Sequence, residues 1–183
     1  MKYYDKAVCD VPGATKTKLY KLWHSMVQRC YDAKHLARQP HYAGCTVCQE
    51  WLKFSAFKMW AETHYKDGLH LDKDIRGDGK LYSPETCIFV PRWVNQFVVQ
   101  NKEKTGPFPT GVKPSKDKFI ARCRHPFAGP THLGSFSTIG EAEEKYKDFK
   151  RNVVLSYAKE LRTIAHDLPE LILAKLESNW SES

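Results

Sequence analysis

The chain has 183 residues, of which 42% are hydrophobic, 13% aromatic and 27% charged. These proportions exclude collagen-like, coiled-coil and wholly disordered chains, and suit one ordinary domain or two small ones. Lys and Arg number 29 against 21 Asp and Glu, a formal charge of +8 that favours a polyanionic partner such as nucleic acid. No run of about 18 apolar residues occurs and the start, Met1-Lys2-Tyr3-Tyr4-Asp5-Lys6, lacks the apolar stretch of an export signal, so a cytoplasmic protein without a membrane partner is expected.

Taken in chain order, the hydrophobic spacing predicts a helix from Thr17 to about Ala33, with Leu19, Leu22, Trp23, Met26, Val27 and Cys30 on one face. Gly44 to Cys48 reads as a short strand, and Trp51, Phe54, Phe57 and Trp60 as the inward stripe of a second helix. His70 to Ile75 reads as a strand, Gly77-Asp78-Gly79 as a turn and Cys87 to Val90 as the returning strand of a hairpin. Pro91 suits the first turn of a helix running to about Gln100. Asn101 to Thr110 is polar and rich in Gly and Pro, which marks a boundary. Beyond it, Phe119–Arg124 and His132–Phe136 read as strands. Ser137 or Thr138 caps a long helix starting near Glu141, and Pro169 opens a final short helix.

Six cysteines are expected to stay reduced. Cys45 and Cys48 have the spacing of a structural zinc pair, but no second close pair follows, so Cys30, Cys87 or His41 would have to complete the site through the fold. Packing as small apolar residues is the alternative.

The strand, turn, strand and helix over residues 70 to 100 form a ββα unit with unusual polar content. His70, Asp72 and Asp74 alternate, so an extended strand would project all three from one face. Two carboxylates and an imidazole there suit a hard divalent cation and proton transfer, with a solvated strand face as the alternative.

Trp23, Met26, Arg29-Cys30-Tyr31, Tyr42, Val47-Cys48, Trp51, Phe54, Phe57, Leu71-Asp72-Lys73-Asp74-Ile75, Gly79, Tyr82-Ser83-Pro84-Glu85, Cys87 and Asn95 together resemble a family of phage-encoded HNH-type, homing-like endonucleases over residues 19 to 100. The resemblance implies a ββα-metal nuclease that hydrolyses DNA with Mg2+ or Mn2+. The implied catalytic positions are His70, Asp72, Lys73, Asp74 and Asn95, with Asp72 and Asp74 holding the metal. Two positions depart from the family. Lys73 stands where a general-base His is expected, and Thr86 stands where an Asn fixes the loop. His70, whose imidazole accepts a proton near neutral pH, is the candidate replacement base.

Gly111-Val112-Lys113, Lys118-Phe119-Ile120-Ala121-Arg122-Cys123, Leu133 to Thr138, Glu141-Ala142 and Tyr146 resemble the Apetala2-type DNA-binding domain of plant transcription factors over residues 110 to 150. That resemblance implies a three-stranded antiparallel sheet on one helix, touching DNA through the sheet. Lys113, Lys116, Lys118, Arg122 and Arg124 face a single nearby acid, Asp117, and are the candidate DNA contacts. The expected whole is an α+β protein with three parts: a nuclease domain over 1–103, a linker over 104–110 and a DNA-binding domain with a helical tail over 111–183. Its expected partner is duplex DNA and no small-molecule cofactor, with the oligomeric state left open. A DNA-binding protein with a degenerate, inactive nuclease domain is the alternative.

Overall fold

In the computed structural model, which describes residues 2–98 and 107–181, the Thr17 hydroxyl accepts the amide hydrogen of Tyr20 and starts the first long helix. That helix, α1 (Lys18–Tyr31), follows a hairpin of β1 (Lys2–Tyr3) and β2 (Ala7–Val8) and buries Tyr20, Trp23, Met26, Val27 and Cys30. The side chain of Asp32 then accepts the His35 amide at 2.6 Å and opens α2 (Ala33–Arg38). After β3 (Thr46–Val47) comes α3 (Phe54–His64). The expected aromatic stripe is split here, because Trp51 lies in a 3-10 turn (Glu50–Leu52) that extended Lys53 separates from the helix. Trp51 still reaches the core, where its carbonyl accepts the Trp23 indole N–H at 2.7 Å.

The expected hairpin forms as β4 (Leu69–Asp72) antiparallel to β6 (Ile88–Pro91), with His70 opposite Val90 and Asp72 opposite Ile88. Between them lies β5 (Leu81–Tyr82), which pairs in parallel with β3 and was not anticipated. Trp23, Phe54, Phe57, Tyr82, Cys87 and Phe89 belong to one buried cluster with these elements.

The chain divides into two compact units, Met1–Arg92 and Trp93–Ser183. The division falls at the start of α4 (Arg92–Val98), ahead of the expected linker, whose residues 104–106 lie outside the described residues, as does the expected helix end at Gln100. There is a physical reason for grouping α4 with the second unit. The Lys150 ammonium donates to the Phe97 carbonyl and the Asn179 amide to the Val98 carbonyl, so two side chains of that unit satisfy the end of the helix.

The second unit holds the expected three-stranded antiparallel sheet in the order β7 (Val112–Ser115), β8 (Lys118–His125) and β9 (Gly129–Phe136). Val112, Phe119, Ala121, Leu133 and Phe136 pack with Ala142 of α5 (Ile139–Ser156). The start of α5 is a capping box: Thr138 accepts the Glu141 amide while the Glu141 carboxylate accepts that of Thr138. At Gly111 a Cβ would collide with the Tyr146 ring, and its φ of 84° is one that other residues rarely adopt, so only glycine lets the chain enter β7 this close to α5. The helical face expected to run through Tyr157 breaks there, and α6 (Ala158–Arg162) and α7 (Leu168–Ser181) follow. The terminal helix is longer than the short one expected from Pro169.

Candidate functional site

Two groups of side chains carry chemistry, one in each unit. In the first unit, β4 ends at Asp72 because its Oδ1 accepts the amide hydrogens of Asp74 and Ile75, both at 2.8 Å, which turns the chain out of the strand. The expected common face therefore does not form. His70 and Asp74 are exposed, and Asp72 is buried. Burial raises the Asp72 pKa above the ordinary carboxylate value, with a further push from Asp74, and the two amides only partly offset this.

Lys73 points inward, only 6% exposed, and its Nζ donates to Asp74 Oδ1 at 2.8 Å. Its ammonium also lies 5.7 Å from the centre of the Tyr42 ring and 5.5 Å from that of Tyr82. Burial alone would lower its pKa, but the Asp74 carboxylate outweighs that and holds it above the usual lysine value. Lys73 is thus held as a cation, which suits it to charge balance and not to taking a proton.

Arg29 of α1 stands 5.6 Å from the same Tyr42 ring and donates to the Tyr82 hydroxyl. Burial opposes its charge, yet the Tyr42 and Tyr82 hydroxyls favour it and the second effect prevails. Arg29, Tyr42 and Tyr82 were not among the expected site residues. The available signal was that all three lie among the residues carrying the nuclease resemblance.

Asp72 Oδ1 is occupied by two amides and Asp74 Oδ1 by the Lys73 ammonium. Among the described residues no three His, Cys, Asp or Glu side chains group to hold a metal ion. Two carboxylates alone supply fewer oxygen ligands than a divalent cation takes, so water and a substrate phosphate would have to complete its shell. Cys45 is a core residue whose thiol donates to the Gly79 carbonyl at 3.5 Å. Burial pushes the thiols of Cys30 and Cys87 up to about 12, which suits them to packing as small apolar residues and not to acting as free nucleophiles. All six cysteines are free. Asn95 lies on α4 in the second unit, and its Oδ1 is buried without a hydrogen-bond partner among the described residues.

In the second unit, register decides which side chains share the open face of the sheet. Ser115 is opposite Lys118, Lys113 opposite Ile120, Arg122 opposite His132 and Arg124 opposite Pro130. A register shift beside Ala121 and Arg122 keeps Leu133 with the core while His132 stays outside. Lys113, Lys118, Arg122, Arg124 and His132 are all exposed on that face, whose strand positions include no Asp or Glu. Among the described residues none of these five side chains makes an ion pair, whereas α5 and α7 pair theirs, as Arg151 does with Glu144, Asp148 and Glu177. Lys116 is not on the face. It forms the β7–β8 turn with a φ of 52°. His132 was missed because alternation along β9 is broken by the shift.

Comparison with protein-family models, curated proteins and solved structures gives no match for this chain.

Proposed function

We propose that the protein binds duplex DNA through the open face of the β7–β8–β9 sheet. One observation carries the reading: Lys113, Lys118, Arg122, Arg124 and His132 stand together on one sheet face, exposed, with no internal acid to neutralise them. Lysines in such an array neutralise phosphates, and arginines two apart on one strand reach base edges when a β-ribbon enters the major groove. The test is fluorescence anisotropy of a labelled duplex against the full chain at several salt concentrations. Affinity is expected to fall steeply with salt, and a folded protein that leaves the duplex free at low salt refutes the reading.

Hydrolysis of that DNA is the second reading, favoured by the antiparallel β4–β6 pair with Asp72 and Asp74 at the end of β4. Supercoiled plasmid incubated with Mg2+ or Mn2+, with and without a chelator, tests it. Relaxed or linear product that disappears with Asp74→Ala supports cleavage, and intact plasmid beside normal duplex binding leaves a binding protein.

A further inference from the structure

The polar corner at the end of β4 gathers two cations against one aromatic ring. Arg29 and Lys73 both lie within 6 Å of the centre of the Tyr42 ring, one contributed by α1 and the other by the residue after β4. Their acidic neighbours are engaged unequally. Asp72 is committed to the amides of its own turn, and Arg29 makes no ion pair among the described residues, which leaves Asp74 as the one carboxylate paired with either cation. Asp74 is half exposed, while the ammonium it meets is 7% exposed. The carboxylate thus enters from the solvent side and covers a buried cation.

Space is reserved for it. Gly79 has a φ of 79°, and a Cβ there would overlap Asp74 Oδ1 and come within 3.8 Å of Lys73 Nζ. A guanidinium and an ammonium that share one tyrosine ring, the ammonium already holding a carboxylate where Gly79 leaves room for it, suit a tetrahedral oxyanion in the carboxylate's place.

We infer that Arg29 and Lys73, framed by Tyr42 and Gly79, form a phosphate-binding site on the first unit in which the Asp74 carboxylate is the resident anion that an incoming phosphate group displaces. The assignment is independent of the basic sheet and inverts the cation site expected from the acidic residues of β4. The chemistry recognised is the phosphate oxyanion, supplied by free phosphate or by a phosphodiester of nucleic acid.

Isothermal titration of the full chain with inorganic phosphate, and separately with a dinucleoside monophosphate carrying one phosphodiester, tests it. Saturable one-to-one binding is expected with at least one of the two, and which one binds identifies the source. Asp74→Asn removes the resident charge and is expected to tighten binding about fivefold, the scale of a partly exposed ion pair. Lys73→Met and Arg29→Gln are expected to abolish it. Arg122→Ala combined with Arg124→Ala is expected to leave it unchanged, so failure here and failure of the sheet reading are separable. Absence of binding to both probes in wild type and in Asp74→Asn overturns the inference. So does binding that survives unchanged in folded Lys73→Met and Arg29→Gln. If those two variants do not fold, the Asp74→Asn comparison still decides, because equal affinity in wild type and variant overturns it.

Discussion

The buried ammonium of Lys150 donates to the main-chain carbonyl of Phe97 and also lies 4.5 Å from the centre of the Phe97 ring. Burial lowers its pKa to about 8 from the ordinary 10.5, with a small opposing effect from Cys123. The folded state therefore binds fewer protons than the unfolded one between those values, and this contribution to stability grows as pH rises through the window.

The first prediction follows from that sign. The stability difference between wild type and Lys150→Met is expected to shift in favour of wild type by about 3 kcal/mol between pH 8 and 10.5. Paired denaturant titrations across that range measure it, and taking the difference removes the other groups that titrate there. A difference independent of pH would show that the amine is solvated.

Asp72 carries the opposite dependence. An acid whose folded pKa is raised binds more protons folded than unfolded above its ordinary value of 3.8, so its contribution falls as pH rises through that value. Asp72→Asn keeps an acceptor for the two amides and is expected to lose less stability than wild type between pH 4 and 7. Asp72→Ala leaves both amide donors without their partner and is expected to cost about 2 kcal/mol near pH 4, a cost that shrinks as pH rises. Thermal melts at several pH values distinguish the three proteins.

On the sheet, Arg122→Ala and Arg124→Ala separate two kinds of contact. If both side chains neutralise phosphate, the slope of log affinity against log salt is expected to become shallower by about 0.9 for each, with all duplexes weakened alike. If they read bases, discrimination between duplexes is lost instead, at roughly 1–3 kcal/mol per contact. Anisotropy titrations with two unrelated duplexes at three salt concentrations resolve the cases.

Lys116 holds a left-handed φ of 52° in the turn between β7 and β8, a conformation that costs a side-chain-bearing residue about 1 kcal/mol. Lys116→Gly is expected to recover part of that, offset by glycine's larger unfolded-state entropy, for a net gain of up to about 0.5 kcal/mol. Duplex affinity is expected to change little, since Lys116 lies off the sheet face. A clear loss of affinity would assign its ammonium to the contact surface.

Elements with a strong local signal were legible in the sequence. The face of α1, the β4–β6 hairpin, a cap at Ser137 or Thr138 and the strands β8 and β9 rest on periodicity, turn residues and capping chemistry that act within a few positions, whereas β7 and the three-stranded sheet were expected only from the Apetala2 resemblance. The parallel pairing of Thr46 with Leu81 carries no such signal, since two-residue strands show no alternation and their partners are remote in sequence. The polar corner misled for a related reason. Alternation placed Asp72 and Asp74 together on the premise that the strand continued, and Asp72 itself ends the strand by capturing two amides. Lys73 then turns inward, where its opposite charge changes what the carboxylates can hold.

The β3–β5 pairing also bears on the order of assembly. The Cys45 thiol and the Gly79 carbonyl that meet beside it are 34 residues apart, and Tyr42 and Lys73 approach across the same chain closure. Helices α1 and α3 draw on local contacts, but this junction must close a long loop before any of its bonds form. Pulse-labelling hydrogen exchange during refolding should therefore find the amides of Thr46 and Cys48, which bond to Lys80 and Tyr82, protected after those of α1. The Arg29–Lys73 receptor is then among the last features of the first unit to mature, and a chain arrested before that step would be largely folded yet unable to hold an anion there.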